Sequence, residues 1–141
     1  MKHDDCLFCR IIEGTIPSAK VYEDEHVYAF LDISQVTDGH TLVIPKQHAQ
    51  DIYDLPEDIA AELFRRVPKI AKAIKRAYKP AGINLLNNNE VAAGQSVFHL
   101  HIHLIPRYGN DGFDAKWITR DDQFTPEELQ QMAKKIAEEI K

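Results

Sequence analysis

The chain has 141 residues, 44% of them hydrophobic and 28% charged, with a formal net charge of −5 and a sequence pI of about 5.8. That length and the periodic apolar segments fit a single globular domain over residues 1–141, with a core from about residue 6 to about residue 109. The acidic balance, with Lys and Arg densest between Lys69 and Lys79, argues against a nucleic-acid partner; no apolar run approaches the ~18 residues of a membrane span, and Met-Lys-His-Asp-Asp-Cys lacks a secretory core, so a cytoplasmic address is expected.

In chain order, residues 7–13 suit a short helical turn closed near Gly14 and followed by Ile16-Pro17. Residues 20–23, 26–31 and 41–45 are rich in Val, Tyr, Phe and Ile between turn residues, which predicts an antiparallel meander. Ile59, Leu63, Val67, Ile70, Ile74 and Tyr78 recur at three- and four-residue spacing, so residues 57–78 should form the longest helix, kinked or split by Pro68. Residues 83–88 read as a strand entering a loop, and residues 96–105 as a final long strand, the two making a hairpin about residues 89–94. Thr125-Pro126-Glu127-Glu128 offers an N-cap, a proline at the first helical position and the Glu of a capping box, which starts a C-terminal helix over about 126–140.

Within the final strand, His99, His101 and His103 alternate with Leu100, Ile102 and Leu104. In an extended strand the three imidazoles project from one face, roughly 6.6–6.8 Å apart at Cα, and the Leu/Ile/Leu face is core. Three chemistries suit such a row. It is a polar face with incidental histidines, a metal site built on His-x-His, or a nucleophile for phosphorus, since an imidazole with an ordinary pKa near 6.5 is largely neutral at pH 7. The last demands that one ring nitrogen donate to a carbonyl so that the other presents its lone pair.

The run His99-Leu100-His101-Ile102-His103-Leu104-Ile105 resembles the signature of the histidine-triad (HIT) family, His-φ-His-φ-His-φ-φ with φ apolar. The likeness extends over Phe8 with Ile11-Ile12, Ile16-Pro17, Phe30-Leu31-Asp32-Ile33, the stretch from Gly39 to His48, and Gly94-Gln95-Ser96-Val97-Phe98. It implies an α+β HIT-like fold, with a five-stranded antiparallel sheet, one long central helix and a C-terminal helix, assembled as a homodimer. It also implies nucleotidyl hydrolase or transferase activity on purine nucleotide conjugates, as in nucleoside phosphoramidases and dinucleoside polyphosphate hydrolases, the alternative being a nucleotide-binding signalling module with little catalysis.

Residue by residue, the resemblance makes His101 the nucleophile and His103 the ligand of a phosphate oxygen. Gln95 and Ser96 match contacts to the phosphate and leaving group, Asn88 a hydrogen-bonding residue near ribose and phosphate, and Asp32 the acceptor for a ribose hydroxyl. His40 resembles the partner histidine beside the triad, and Phe8, Ile12 and Ile33 the apolar slot for the base. Neutral donors at Asn88, Gln95, Ser96 and His103 suit charge developing on phosphoryl oxygens without a catalytic Mg ion. Each has a plainer reading too: Asn87-Asn88-Asn89 as turn chemistry, Gly94-Gln95-Ser96 as a turn into a strand, and the apolar three as core.

Cys6-Leu7-Phe8-Cys9 supplies two soft ligands at the spacing of tetrahedral zinc sites; a redox pair, which normally follows a strand in a βαβ unit, and two free thiols are the competing readings. His48 and His99 stand at positions resembling the remaining zinc ligands of the bacterial zinc-containing branch of the family. Zinc held by all four would be structural, with no position left open for water. His3 and His26 carry no motif and are expected at the surface. The leaving group is selected beyond the α-phosphate, and Ile105-Pro106-Arg107-Tyr108 with residues 109–117 depart from the shorter, glycine-rich ending of some branches, so no precise substrate class carries over.

Overall fold

A computed structural model describes residues 3–114 and 117–141. The first two residues of the opening stretch, and Ala115 and Lys116 within the 109–117 segment, lie outside the described residues. The elements are α1 (Leu7–Glu13), β1 (Lys20–Glu23), β2 (Val27–Leu31), β3 (Thr41–Pro45), α2 (Glu57–Tyr78), β4 (Gly82–Leu86), a 3-10 turn (Val91–Ala93), β5 (Ile102–Arg107) and α3 (Pro126–Ala137). The five strands form one antiparallel sheet in the order β1-β2-β3-β5-β4. This is the α+β HIT-like architecture implied by the sequence resemblance.

Strand alternation assigns the two faces. Val27, Ala29, Val43, Ile102 and Leu104 meet Leu63, Val67, Ile70 and Ile74 of α2 in one buried cluster. Tyr28, Phe30, Leu42 and Ile44 turn the other way and pack against Phe8 and Ile11 of α1. His103 pairs opposite Leu42, so it shares the α1 side of the sheet. Among the described residues no helix is long and apolar enough to cross a membrane.

Two expectations need correction. Helix α2 is not split at Pro68, which removes one N–H but lies on the exposed face, where water can take the carbonyl it leaves unpaired. The final strand begins at Ile102 rather than residue 96, so β4 and β5 pair antiparallel but their connection runs from residue 87 to residue 101. Three bonds outside the ladder explain the delay. The Leu100 amide donates to the Ala49 carbonyl at 2.7 Å, Asn87 Nδ2 caps the His101 carbonyl at 3.0 Å, and the His99 carbonyl accepts from the His101 ring at 2.8 Å.

Candidate active site and metal centre

Just ahead of β5, the β3–β5 ladder ends at Val43 opposite Ile102. Pro45 has no amide to offer beyond that point, and its carbonyl accepts from His99 Nε2 at 2.8 Å. A carbonyl only accepts, so His99 carries its proton on Nε2 and turns the Nδ1 lone pair toward the cysteines. Nδ1 lies 3.3 Å from Cys6 Sγ and 3.6 Å from Cys9 Sγ, while His48 Nδ1 lies 3.5 Å from Cys9 Sγ.

These separations test the metal directly. Tetrahedral zinc with Zn–S of about 2.3 Å and Zn–N of about 2.0–2.1 Å places S and N about 3.6 Å apart. The four ligand atoms fall within 4.8 Å of one another, so the donor set fits zinc in both chemistry and size. Helix α1 delivers its two sulfurs together: Cys6 is the N-cap, its Sγ accepting from the Cys9 amide at 3.3 Å. Both cysteines are free thiols, and burial pushes the Cys9 thiol up, so loading a metal would expel protons. His3, expected to be plain surface, is exposed but stacks on His48 with ring centroids 3.9 Å apart. His26 is a half-buried surface residue near Glu25 and Glu62.

The neighbouring histidine faces different chemistry. His101 Nδ1 donates to the His99 carbonyl, leaving Nε2 with the lone pair. Its ring is buried, edge-on to Phe8 at 5.2 Å and to His103 at 4.9 Å. Burial lowers its pKa, opposed in part by the carbonyl bond, so the ring is neutral at pH 7. Burial, with His101 and His40 close by, lowers His103 to about 4. His40 is also lowered by burial, with Asp32 opposing; its Nε2 sits 2.9 Å from His103 Nδ1 and 3.6 Å from Asp32 Oδ2.

The remaining candidates separate. Asp32 is half-buried, one oxygen accepting from the Ser34 amide at 2.8 Å and the other near His40. Phe8 is core and walls His101, Ile12 packs partly buried behind it, and Ile33 stands 99% exposed, so alone it walls nothing. Asn88 and the exposed Ser96 carry no side-chain hydrogen bond among the described residues, which leaves both open to a ligand. Gln95 differs: its buried amide accepts from the Glu90 amide at 2.7 Å and donates to the Gln50 and Val97 carbonyls at 2.7 and 3.1 Å. Both N–H donors of that amide go to backbone carbonyls. It braces the loop in which Glu90 adopts a φ of 74°, a backbone that side chains rarely take.

Asn87 and Asn89 are structural as well. Asn87 holds the His101 carbonyl, and Asn89 ties Asn87 to the Ile52 amide. Sequence reasoning missed the Pro45 carbonyl and the stacking of His3, together with Gln35 and the Val36 amide, which donates to His40 Nδ1 at 3.2 Å. Only Pro45 carried a signal: a proline inside a strand leaves a rung unmade.

A family model described as HIT domain matches residues 13–110. The chain belongs to the HIT domain family. It is 58% identical over 138 residues to "Protein hit" of Bacillus subtilis, covering 97% of this chain and 95% of that protein. A crystal structure of a HIT family protein from Bacillus anthracis superposes with a TM-score of 0.94 at 60% identity, covering 98% of this chain and 99% of that one. Two relatives of this HIT protein have names that state activities. Adenylylsulfatase HINT3 of Arabidopsis thaliana is 44% identical over 77% of this chain and 55% of its own length, and adenosine 5'-monophosphoramidase HNT1 of Candida albicans 35% identical over 98% and 93%. A Zn-bound histidine triad family protein from Mycobacterium smegmatis has a TM-score of 0.74 at 34% identity, covering 95% of this chain and 96% of that one.

Proposed function

We propose that this HIT protein is a nucleotidyl hydrolase or transferase that acts at the α-phosphate of purine nucleotide conjugates through His101. The observation that carries the reading is the His101 Nδ1 to His99 carbonyl bond at 2.8 Å, which leaves a neutral Nε2 as the attacking atom. In the first step the Nε2 lone pair forms an N–P bond as the bond from phosphorus to the leaving group breaks; the leaving group departs with that electron pair and takes a proton from solvent, which the attacking water of the second step gives back. In the second, water attacks phosphorus, the N–P bond breaks, its electron pair returns to Nε2, and the nucleoside monophosphate is released. Open donors at Asn88 and Ser96, with His103, would meet the charge developing on the phosphoryl oxygens, and Asp32 would accept from the ribose. Gln95 would act by holding the loop that presents Asn88. The adenylylsulfatase and AMP phosphoramidase relatives support the adenylyl class of substrate.

Cys6, Cys9, His48 and His99 would hold a structural zinc, which when bound supplies a closed cross-link and no open coordination position. Homodimer formation is the companion proposal. It is supported by the unpaired edge of β4, with Leu85 and Leu86 exposed, and by exposed Phe64 on α2. Light scattering should give twice the chain mass, and the mass of one chain at micromolar concentration would refute it.

The decisive experiment is to mix the protein with an AMP phosphoramidate, quench in base and map the adduct by mass spectrometry. An adenylyl group on His101, and a His101→Ala variant slower by more than about a thousandfold, are expected. Undiminished turnover by that variant would sink the mechanism.

A further inference from the structure

The loop between β2 and β3 carries hydrogen bonds that the proposed reaction does not by itself require. Gln35 is exposed, yet its amide makes four bonds to the loop backbone. Nε2 donates to the Asp32 carbonyl at 2.6 Å and the His40 carbonyl at 2.7 Å, while Oε1 accepts from the Gly39 amide at 2.9 Å and the His40 amide at 3.1 Å. The loop is also pinned to the sheet, with Thr37 Oγ1 donating to the Pro106 carbonyl at 2.6 Å. Gly39 has a φ of +94°, and a Cβ there would stand 3.2 Å from the Tyr78 ring and 3.3 Å from Pro106. Its bareness lets the loop close. The result is that the Val36 amide is aimed at His40 Nδ1, 3.2 Å away.

A backbone N–H can only donate, so His40 Nδ1 must be the unprotonated nitrogen. A neutral imidazole carries one proton, which therefore sits on Nε2. That proton points at His103 Nδ1 at 2.9 Å, with Asp32 Oδ2 at 3.6 Å. His103 Nδ1 is then an acceptor, and the neutral His103 ring carries its own proton on Nε2, across the ring. Burial keeps both rings neutral at pH 7.

We propose that the 32–40 loop is a tautomer clamp, in which the Val36 amide, stapled in place by Gln35, commits His40 to its Nε2–H form and thereby commits His103 to offering Nε2–H, a donor, to the substrate phosphate. Gln35 and Val36 are positioning residues: neither touches the phosphate. The chemistry gives the clamp its point. With the opposite tautomer, His103 would turn a lone pair toward an anion and convert a stabilising contact into a repulsive one. The same bond argues against a metal ion among Asp32, His40 and His103, whose ligand atoms also cluster. Coordination through His40 Nε2, with Nδ1 accepting from Val36, would require the ring to lose both protons.

The proposal rests on the reading of His103 as the phosphate ligand, but its first test needs no substrate. Long-range proton–nitrogen NMR correlation on the 15N-labelled protein at neutral pH should show His40 and His103 both as Nε2–H tautomers. Val36→Ala keeps the amide and should leave the pattern unchanged. Val36→Pro removes it, and should populate the Nδ1–H form of His103 and slow turnover of an AMP phosphoramidate about tenfold or more, short of the ~10²–10³ lost when a donor to a developing oxyanion is deleted. If Val36→Pro does not fold, Gln35→Ala, which keeps the amide but frees the loop, should move the pattern the same way to a smaller extent. An Nδ1–H tautomer of His40 in the unmodified protein overturns the clamp, and so does an unchanged His103 pattern in a folded Val36→Pro or Gln35→Ala protein. The expected tautomers with no adduct on His101 would leave the clamp standing and remove the nucleotidyl-transfer reading alone.

Discussion

Protonating His103 means placing a cation in a half-buried site between two other imidazoles, and burial with the adjoining His101 and His40 holds its pKa at about 4, against an ordinary 6.5. Between those values the unfolded chain binds a proton that the native protein refuses, so stability rises with pH across that window. The contribution is complete above 6.5 and is lost as pH falls from 6.5 to about 4. Urea midpoints measured across the window should fall on acidification, and His103→Asn should flatten that slope; an identical slope would mean that His103 is not held neutral. At this scale the residue types of the site, and through the family resemblance their separate roles, were legible, and the tautomers were not. Alternation put three histidines in one row, but which nitrogen of each carries the proton depends on Pro45, on the His99 carbonyl and on Val36, backbone groups with no signature in a residue string. Gln95 shows the converse. Its family position suggests a phosphate contact, and the structure adds a bracing role that the position alone does not reveal: both side-chain N–H groups donate to the Gln50 and Val97 carbonyls, and Oε1 accepts from the Glu90 amide.

Helix α2 is tied to the turn before β2 by one polar knot as well as by its apolar face. Asp24 takes the Arg66 guanidinium at 2.6 Å, the Tyr22 hydroxyl at 2.7 Å, and the His26 and Val27 amides at 2.8 and 3.0 Å. Burial works against its charge, but these four donors outweigh it and hold the carboxyl well below the usual range. Removing the carboxylate strands the Nε of Arg66, whose side chain is only 11% exposed, leaving it Glu62 and, at 3.6 Å, the exposed Glu25. Asp24→Ala should therefore cost about 2–3 kcal/mol, read as a lower denaturant midpoint at unchanged slope. A loss below about 0.5 kcal/mol would reduce the knot to an ordinary surface pair. The elements were most legible where a local rule decides them. Leu63, Val67, Ile70 and Ile74 are the buried stripe of α2, and Thr125 and Glu128 form the reciprocal capping box of α3. The final strand was over-extended because alternating apolar residues mark a face, whereas a strand also needs a partner ladder, and Leu100 takes its bond from Ala49 instead.

Taken whole, the molecule places two centres on one short segment: His99 belongs to the thiol cluster, and its carbonyl orients His101. If the cluster is the zinc site proposed above, loading it with zinc should raise the melting temperature and quicken turnover together, and a chelator should reverse both. Full activity in demonstrably metal-free protein would separate the two centres. The spacing of the cysteines made that cluster partly legible, but its closure depended on the fold bringing His48 and His99 to the start of α1. The contact between Cys6 and His99 joins positions 93 apart in the chain. Considered as a polymer, a bond there closes one long loop, and a permanent cross-link over ~100 residues removes about 4.7 kcal/mol of disorder from the unfolded ensemble. Four side chains gathered around a metal would thus act as a removable staple on most of the chain. Because the four ligands meet only in the folded chain, the metal's binding energy would be folding energy, gained when α1, His48 and His99 come together.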